Sequence, residues 1–319
     1  MDDRFTEYLE RLDSRLKIKF FSQKRRMHFT VSEELCVYYK QRDFTLNFLS
    51  NISSALFKHN VKVHLDLTAC PNISAAALVM LFAEVSRARM ALEEDDVITI
   101  ELPKEFSDTS WEEAITLHYR KYASLFDNDH TFQTVSEPNK AMASIMKLLF
   151  KSGVVLSKPD TRVFTKGVNE AMLNVINHAY SDQLEPLGGI GRRWWQACWL
   201  QKKANGDETL VYIIFDLGCG MLKSLPNQNN ETPVQHITRA MKYGVTRTDE
   251  VDRGKGTKNM EEATIIRNNS LMFIGSNNAI YIKAEGQNSQ ALESRLPFDG
   301  TLVEWQICIH KEESNDVPN

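Results

Sequence analysis

No stretch of the 319-residue chain reaches the roughly 18 consecutive apolar residues that a bilayer span requires. The opening Met1-Asp2-Asp3-Arg4 has no signal-peptide core, so a cytoplasmic location away from membranes is expected. No CxxC pair joins any of the five cysteines (Cys36, Cys70, Cys198, Cys219, Cys308), and their odd number argues against a zinc site or a disulfide framework. They read as reduced core thiols, with Cys219 set apart because it stands between two glycines. No long basic block occurs and the formal net charge is -4, which excludes the electrostatic footprint of direct nucleic-acid binding. The one short basic run, Lys24-Arg25-Arg26, reads as a solvated turn. Repeats and low-complexity tracts are missing too, and Gly 14 and Pro 9 are too few for a fibrous or disordered chain.

What remains is an ordinary folded composition, 42% hydrophobic and 25% charged, long enough for two domains. The first 135 or so residues alternate strand and helix signals. Val61-Lys62-Val63-His64-Leu65-Asp66-Leu67 places apolar residues at alternate positions, as a half-buried strand does. Pro71 and Asn72 then turn the chain into an Ala-, Leu- and Met-rich run over 74–90, predicted to be a helix capped by Ser74. A second strand over 97–102 stops at Pro103, and 108–126 reads as one further helix with its cap near Ser110. Residues 127–158 read as a connector plus an apolar helix around 142–150.

The stretch from Val61 to Met90 resembles a STAS domain, the fold of anti-anti-sigma factors: a strand ending in Asp66-Leu67, a short turn, then a helix start. Where that family carries Asp-Ser-Ser-Gly this chain has Ser74-Ala75-Ala76-Ala77, so its phospho-acceptor serine would fall on Ala75. The resemblance implies a STAS-like α/β layer without the usual phospho-switch.

Four motifs follow in order in the second half. In Glu170-Ala171-Met172-Leu173-Asn174-Val175-Ile176-Asn177-His178-Ala179-Tyr180, about 100° per residue puts Glu170, Asn174, Asn177 and His178 on one helix face and Met172, Val175, Ile176 and Ala179 on the other. A carboxylate and an amide oxygen one turn apart suit Mg²⁺, the amide as ligand and the carboxylate as base; the same stripe would also serve as a plain solvated face. Asp216-Leu217-Gly218-Cys219-Gly220 directly follows the apolar strand 210–215. A carboxylate there can accept the amino group of adenine while the glycines turn the backbone sharply, and the bland alternative is a tight turn with an exposed Asp. Arg253-Gly254-Lys255-Gly256-Thr257 precedes a helical stretch over 258–267, an arrangement that aims N–H groups at phosphate or merely opens a helix; GxxxxGK[ST] is absent, so it is not a P-loop. Gly300-Thr301 opens a strand in which Val303, Trp305, Ile307 and Ile309 alternate toward a core, and Thr301 stands where its hydroxyl can reach an adenine edge.

Together these resemble the N, G1, G2 and G3 boxes of the GHKL superfamily, the Bergerat-fold ATP-binding proteins, over about 150–309. The resemblance implies a mixed sheet covered by helices on one face, and ATP with Mg²⁺ as cofactors. It implies Glu170 as the orienting base, Asn174 as the metal ligand, Asp216 as the adenine reader, and Gly254 to Thr257 as the phosphate cradle. Asn177, His178, Gly218, Gly220, Arg253, Lys255 and Thr301 complete the expected nucleotide contacts. The polar stretch 220–253, with Arg247 and Arg253, is similar to the family's ATP lid.

The expected organisation is therefore a STAS-like domain over 1–135 and an ATP-binding domain over 136–319, an α/β (α+β) chain. Only about ten polar residues follow Ile309, and none of the eight His is followed by Asp or Glu, so the gyrase-like and histidine-kinase branches fit poorly. The His178-Ala179-Tyr180 ending is most similar to the anti-sigma serine kinases, whose partners are STAS proteins. The leading expectation is a Mg-ATP regulated signalling protein that docks a protein partner through a lid, with a homodimer compatible. A Ser/Thr kinase or slow ATPase, and a nucleotide-loaded scaffold, are the alternatives. Trp194, Trp195 and Trp199 read as core or partner surface.

Overall fold

A computed structural model describes residues 3–10, 12–154, 156–180, 189–202, 208–228, 230–242 and 256–309. The first half runs α1 (Asp3–Glu10), β1 (Lys17–Phe21), β2 (Arg26–Thr30), α2 (Arg42–Ser53), β3 (Lys62–Asp66), α3 (Ala75–Leu92), β4 (Ile98–Glu101), α4 (Ser110–Thr116) and α5 (Tyr122–Asp127). The second runs β5 (Phe132–Val135), α6 (Pro138–Lys151), α7 (Lys158–Asn174), β6 (Trp194–Lys202), β7 (Glu208–Asp216), α8 (Met221–Ser224), α9 (Pro233–Ala240), α10 (Gly256–Glu262), β8 (Leu271–Ala284) and β9 (Gln290–Ile309). The fold class is α+β, as expected.

The first sheet has the order β1-β2-β3-β4, with β1 antiparallel and β2, β3 and β4 parallel. Val63 and Leu65 point from β3 into the core while Lys62 and His64 face outward, the alternation that the sequence shows. α3 is Ala-rich and free of Gly and Pro, and it is buried on nearly every side, Glu84, Ser86, Arg87 and Arg89 included. Ser74 occupies its N-cap position, yet its hydroxyl makes no capping bond; the Ala76 N–H donates instead to the Tyr38 hydroxyl at 3.2 Å.

The single helix expected over 108–126 is broken. Thr109, not Ser110, caps α4, accepting the Glu112 N–H at 3.2 Å. Leu117 and His118 are then extended, and a short 3₁₀ turn, Tyr119–Lys121, leads into α5. The cause is tertiary. The buried Arg89 guanidinium donates to the carbonyls of Ile115 (2.7 Å) and Leu117 (3.2 Å), and the Asp95 carboxylate accepts the Tyr119 N–H at 2.8 Å. Backbone groups that a continuous helix would pair with each other are taken by side chains.

The second sheet has the order β5-β6-β7-β9-β8. Every pairing in it is antiparallel, so the mixed sheet expected from the resemblance is corrected. One helix between two strands returns the chain parallel, but β5 and β6 are separated by two, α6 and α7, which add a further reversal. β7 and β8 do run the same way, but β9 lies between them. β5, within the stretch read as a connector, precedes residue 136 yet pairs with β6 as an edge of this sheet.

Two cores fill the molecule. One lies between the second sheet and its own helices, joining Ile145, Phe164, Val168, Met172, Tyr212, Trp305 and their neighbours. The other begins in the first half and continues onto the opposite face of the second sheet, through Trp195, Val211, Ile213, Phe215, Phe273 and Leu302. Helices of the second half thus cover one face, and α2 and α3 of the first half cover the other. The Trp195 indole N–H donates to the Ser86 hydroxyl of α3 at 2.7 Å, so Trp195 is core and binds across the two halves.

Candidate functional site

α7 begins at Ser157, whose hydroxyl accepts the Asp160 N–H at 3.3 Å, with Pro159 in the first turn where a missing N–H costs nothing. It continues past Asn174 as one π turn, Val175–Ala179. Met172, Val175 and Ala179 are buried as expected, while Ile176 is only half-buried. Of the polar stripe, Glu170 and Asn174 are half-buried and face α10. The Asn259 amide donates to Glu170 Oε1 at 3.0 Å, and Asn174 Nδ2 lies 3.7 Å from Met260 Sδ. Asn177 does not join them. It is exposed within the π turn, while His178 stays half-buried with its carbonyl facing the Cys219 thiol at 3.5 Å.

Asp216 closes β7 opposite Thr301 of β9 and is only 4% exposed, so it is not the exposed turn residue of the bland reading. Burial pushes its carboxyl up to about 7, against the backbone N–H groups of Gly218 and Thr301, which hold it down. The Gly218 N–H reaches Asp216 Oδ1 at 2.8 Å. The turn that follows is pressed onto the end of α7: the Cys219 N–H donates to the Ala179 carbonyl at 2.7 Å, and a Cβ on Gly218 would stand 2.3 Å from that oxygen. Tyr180 ties the same corner, accepting the Leu217 N–H at 3.3 Å and donating to the Arg193 carbonyl at 2.6 Å. Gly300, at φ 102, lets β9 pass so near β7 that a Cβ there would meet the Asp216 carbonyl at 1.9 Å.

Two residues behind this turn escaped the sequence reading. Ser276 Oγ accepts the Met221 N–H at 2.7 Å and lies 3.0 Å from Thr301 Oγ1, while Asn277 accepts the Leu222 N–H through Oδ1 and donates through Nδ2 to the Cys219 carbonyl, each at 3.0 Å. Asn277 sits at a β-bulge in β8 with φ 51. The polar run Ser276-Asn277-Asn278 inside an otherwise apolar strand was the available signal.

α10 is shorter than the helix expected over 258–267, passing into a 3₁₀ turn at Ala263–Ile266. It approaches α7 closely, since a Cβ on Gly167 would lie 2.8 Å from the Asn259 carbonyl. Gly256 begins this helix and Thr257, in its first turn, is half-buried. Arg253, Gly254, Lys255 and Arg247 lie outside the described residues. Within the stretch expected as a lid, α9 starts with a capping box, Thr232 and Gln235 bonding reciprocally, and His236 is buried.

The end of α7 is therefore a meeting point: the Asp216 turn packs on Ala179 and Tyr180, and α10 packs beside Gly167, Glu170 and Asn174. The two glycines of this turn admit close neighbours, since a Cβ at either would meet the Ala179 backbone or the Asn277 side chain, and they hold the turn against the buried Asp216 carboxyl. Among the described residues no three His, Cys, Asp or Glu side chains gather to cage a metal. The half-buried Asn174 amide, one turn from the Glu170 carboxylate, is the donor type that a hard divalent cation accepts alongside phosphate oxygens and water. No family model matches the chain, and no curated protein matches it.

Proposed function

We propose that this chain is a Mg-ATP-binding regulatory protein of the GHKL type, in which bound nucleotide controls how a protein partner docks. The observation that carries the reading is Asp216, a buried carboxyl at a strand end, held by two backbone N–H groups and set in a turn packed on the helix that bears Glu170 and Asn174. Asp216 would accept the adenine amino group, Gly218 and Gly220 would let the turn beside it pack tightly on its neighbours, and Thr301 would lie at the ring's edge. Asn174 would ligate the metal, while Gly256 and Thr257, with Arg253, Gly254 and Lys255, would hold phosphates. Mg²⁺, when bound, neutralises phosphate charge.

Glu170 is the candidate base for a transfer reaction, and Asn259 orients it. A kinase acting on its own first half has little support, because the position of the usual acceptor is Ala75 and the next N–H is already bonded to Tyr38. Phosphate transfer, if any, would go to a separate protein.

Calorimetric titration of ATP with and without Mg²⁺ tests the reading, with Asn174→Ala as the comparison. Wild type is expected to bind in a metal-dependent way and the variant to lose that dependence. Equal binding by both proteins sinks the metal assignment, and no binding by either sinks the nucleotide reading.

A further inference from the structure

α6 turns Ala141, Ser144, Ile145 and Leu149 into the core, and its flank carries a second apolar row at a spacing of four, Met142, Met146 and Phe150, whose methionines pack partly against that core. The two methionines are half-buried, and Phe150 is 84% exposed. Beside this row α7 presents Arg162, Thr165, Lys166 and Asn169, and the two helices enclose an open groove of about 460 Å³. Among the described residues neither Arg162 nor Lys166 is in an ion pair, and no carboxylate lines the groove. The neighbouring Asp160 and Lys151 are already engaged, with Arg267 and Asp129.

We infer that this groove docks an acidic amphipathic helix from a partner protein. The apolar row extends over nine residues, about 12 Å of helix from first to last, which matches roughly two turns of a partner's apolar stripe. Methionines shape themselves to such a stripe, and the two unpaired cations set the sign of the residues flanking it. Two cations are too few for a polyanion, and the apolar row beside them has no use for a free phosphate. The groove is joined to the candidate nucleotide site by α7 itself: Asn169 lines the groove, and the next residue, Glu170, bonds Asn259 of α10. That coupling rests on the nucleotide reading; docking in the groove does not.

The test uses the full chain and a fluorescein-labelled peptide of about 18 residues, with Leu on one helical face and Glu flanking it; a second peptide has Lys in place of Glu. Anisotropy titrations compare wild type with the exposed double change Arg162→Glu/Lys166→Glu and with Met146→Gln at a half-buried side chain, and calorimetry checks ATP binding in each. Wild type is expected to bind the Glu peptide at least about tenfold more tightly than the Lys peptide, and the double variant to reverse that preference. Met146→Gln should weaken both peptides. Equal affinity for the two peptides, an unchanged double variant, absence of binding, or a dimer whose dissociation alone opens the groove would each overturn the proposal. Peptide binding in a chain that binds no ATP leaves docking standing and removes the nucleotide reading, while ATP binding without peptide preference does the reverse.

Discussion

Tyr38 donates its phenolic hydrogen to the Glu304 carboxyl, joining the loop before α2 to the centre of β9, 266 positions along the chain. Glu304 is fully buried, its other oxygen accepts the Gln306 amide at 2.6 Å, and burial raises its pKa above the ordinary 4.5. Tyr38→Phe removes one of its two donors and also leaves the Ala76 N–H without its acceptor. The expected loss is about 1–3 kcal/mol in denaturant unfolding.

The same carboxyl shapes the pH response. A folded-state pKa above the unfolded value means that the folded chain keeps a proton the unfolded chain releases, so stability falls as pH rises through that window. Glu304→Gln removes this slope. Thermal unfolding followed from pH 4 upward should fall less steeply for the variant than for wild type.

Asp216 makes a prediction in which stability and binding move apart. Its carboxyl is pushed from 3.8 up to about 7, which costs folding stability as pH climbs between those values. Asp216→Asn should therefore melt higher than wild type at pH 8 while losing ATP affinity. In wild type, affinity should rise with pH through about 7, by up to about tenfold per pH unit below it, because only the ionised group accepts without carrying its own proton. A flat pH profile for ATP binding would remove Asp216 from the base-reading role.

Gly300→Ala meets both a positive φ of 102 and the Asp216 carbonyl 1.9 Å from its new Cβ. A loss of about 3 kcal/mol or more is expected. Gly153→Ala, at φ 73 with nothing within 4 Å, should lose only about 1–2 kcal/mol. The difference between the two midpoints in urea isolates the close approach of β9 to β7.

Trp195→Phe retains a ring but drops the bond to Ser86, an expected loss of about 1 kcal/mol or more. Unfolding should stay a single transition, since one core runs through both halves. Residues 136–319 made alone would expose Trp195, Ile213, Phe215 and Phe273 and should bind a hydrophobic dye.

Local patterns were legible where one neighbour decides the outcome. The alternation around Val63 and Leu65, the burial of Met172 and Val175, and the glycines beside Asp216 all follow from period and backbone sterics. The interrupted helix after Thr116 was hidden because Arg89 and Asp95, far back in the chain, intercept its hydrogen bonds. Glu304 was hidden for a related reason: a strand reading Val303, Trp305 and Ile307 inward assigns Glu304 to water, and only the first half of the chain lying over that face buries it. Asn177 is exposed where α7 widens into a π turn, a change of pitch that leaves no periodic trace in the sequence. Arg253, Gly254 and Lys255 fall outside the described residues.

α3 has no idle side: the β3–β4 layer rests on one flank and β6 and β7 on another, with even its polar residues enclosed. A helix so shared ties the ancestry of two sheets together, because a change in girth along it must suit both at once. Gene shuffling at the midpoint of this chain would strand each piece without its floor. Descendants should therefore inherit the two halves as a single cassette, with compensating changes paired across α3 and the Trp195 strand.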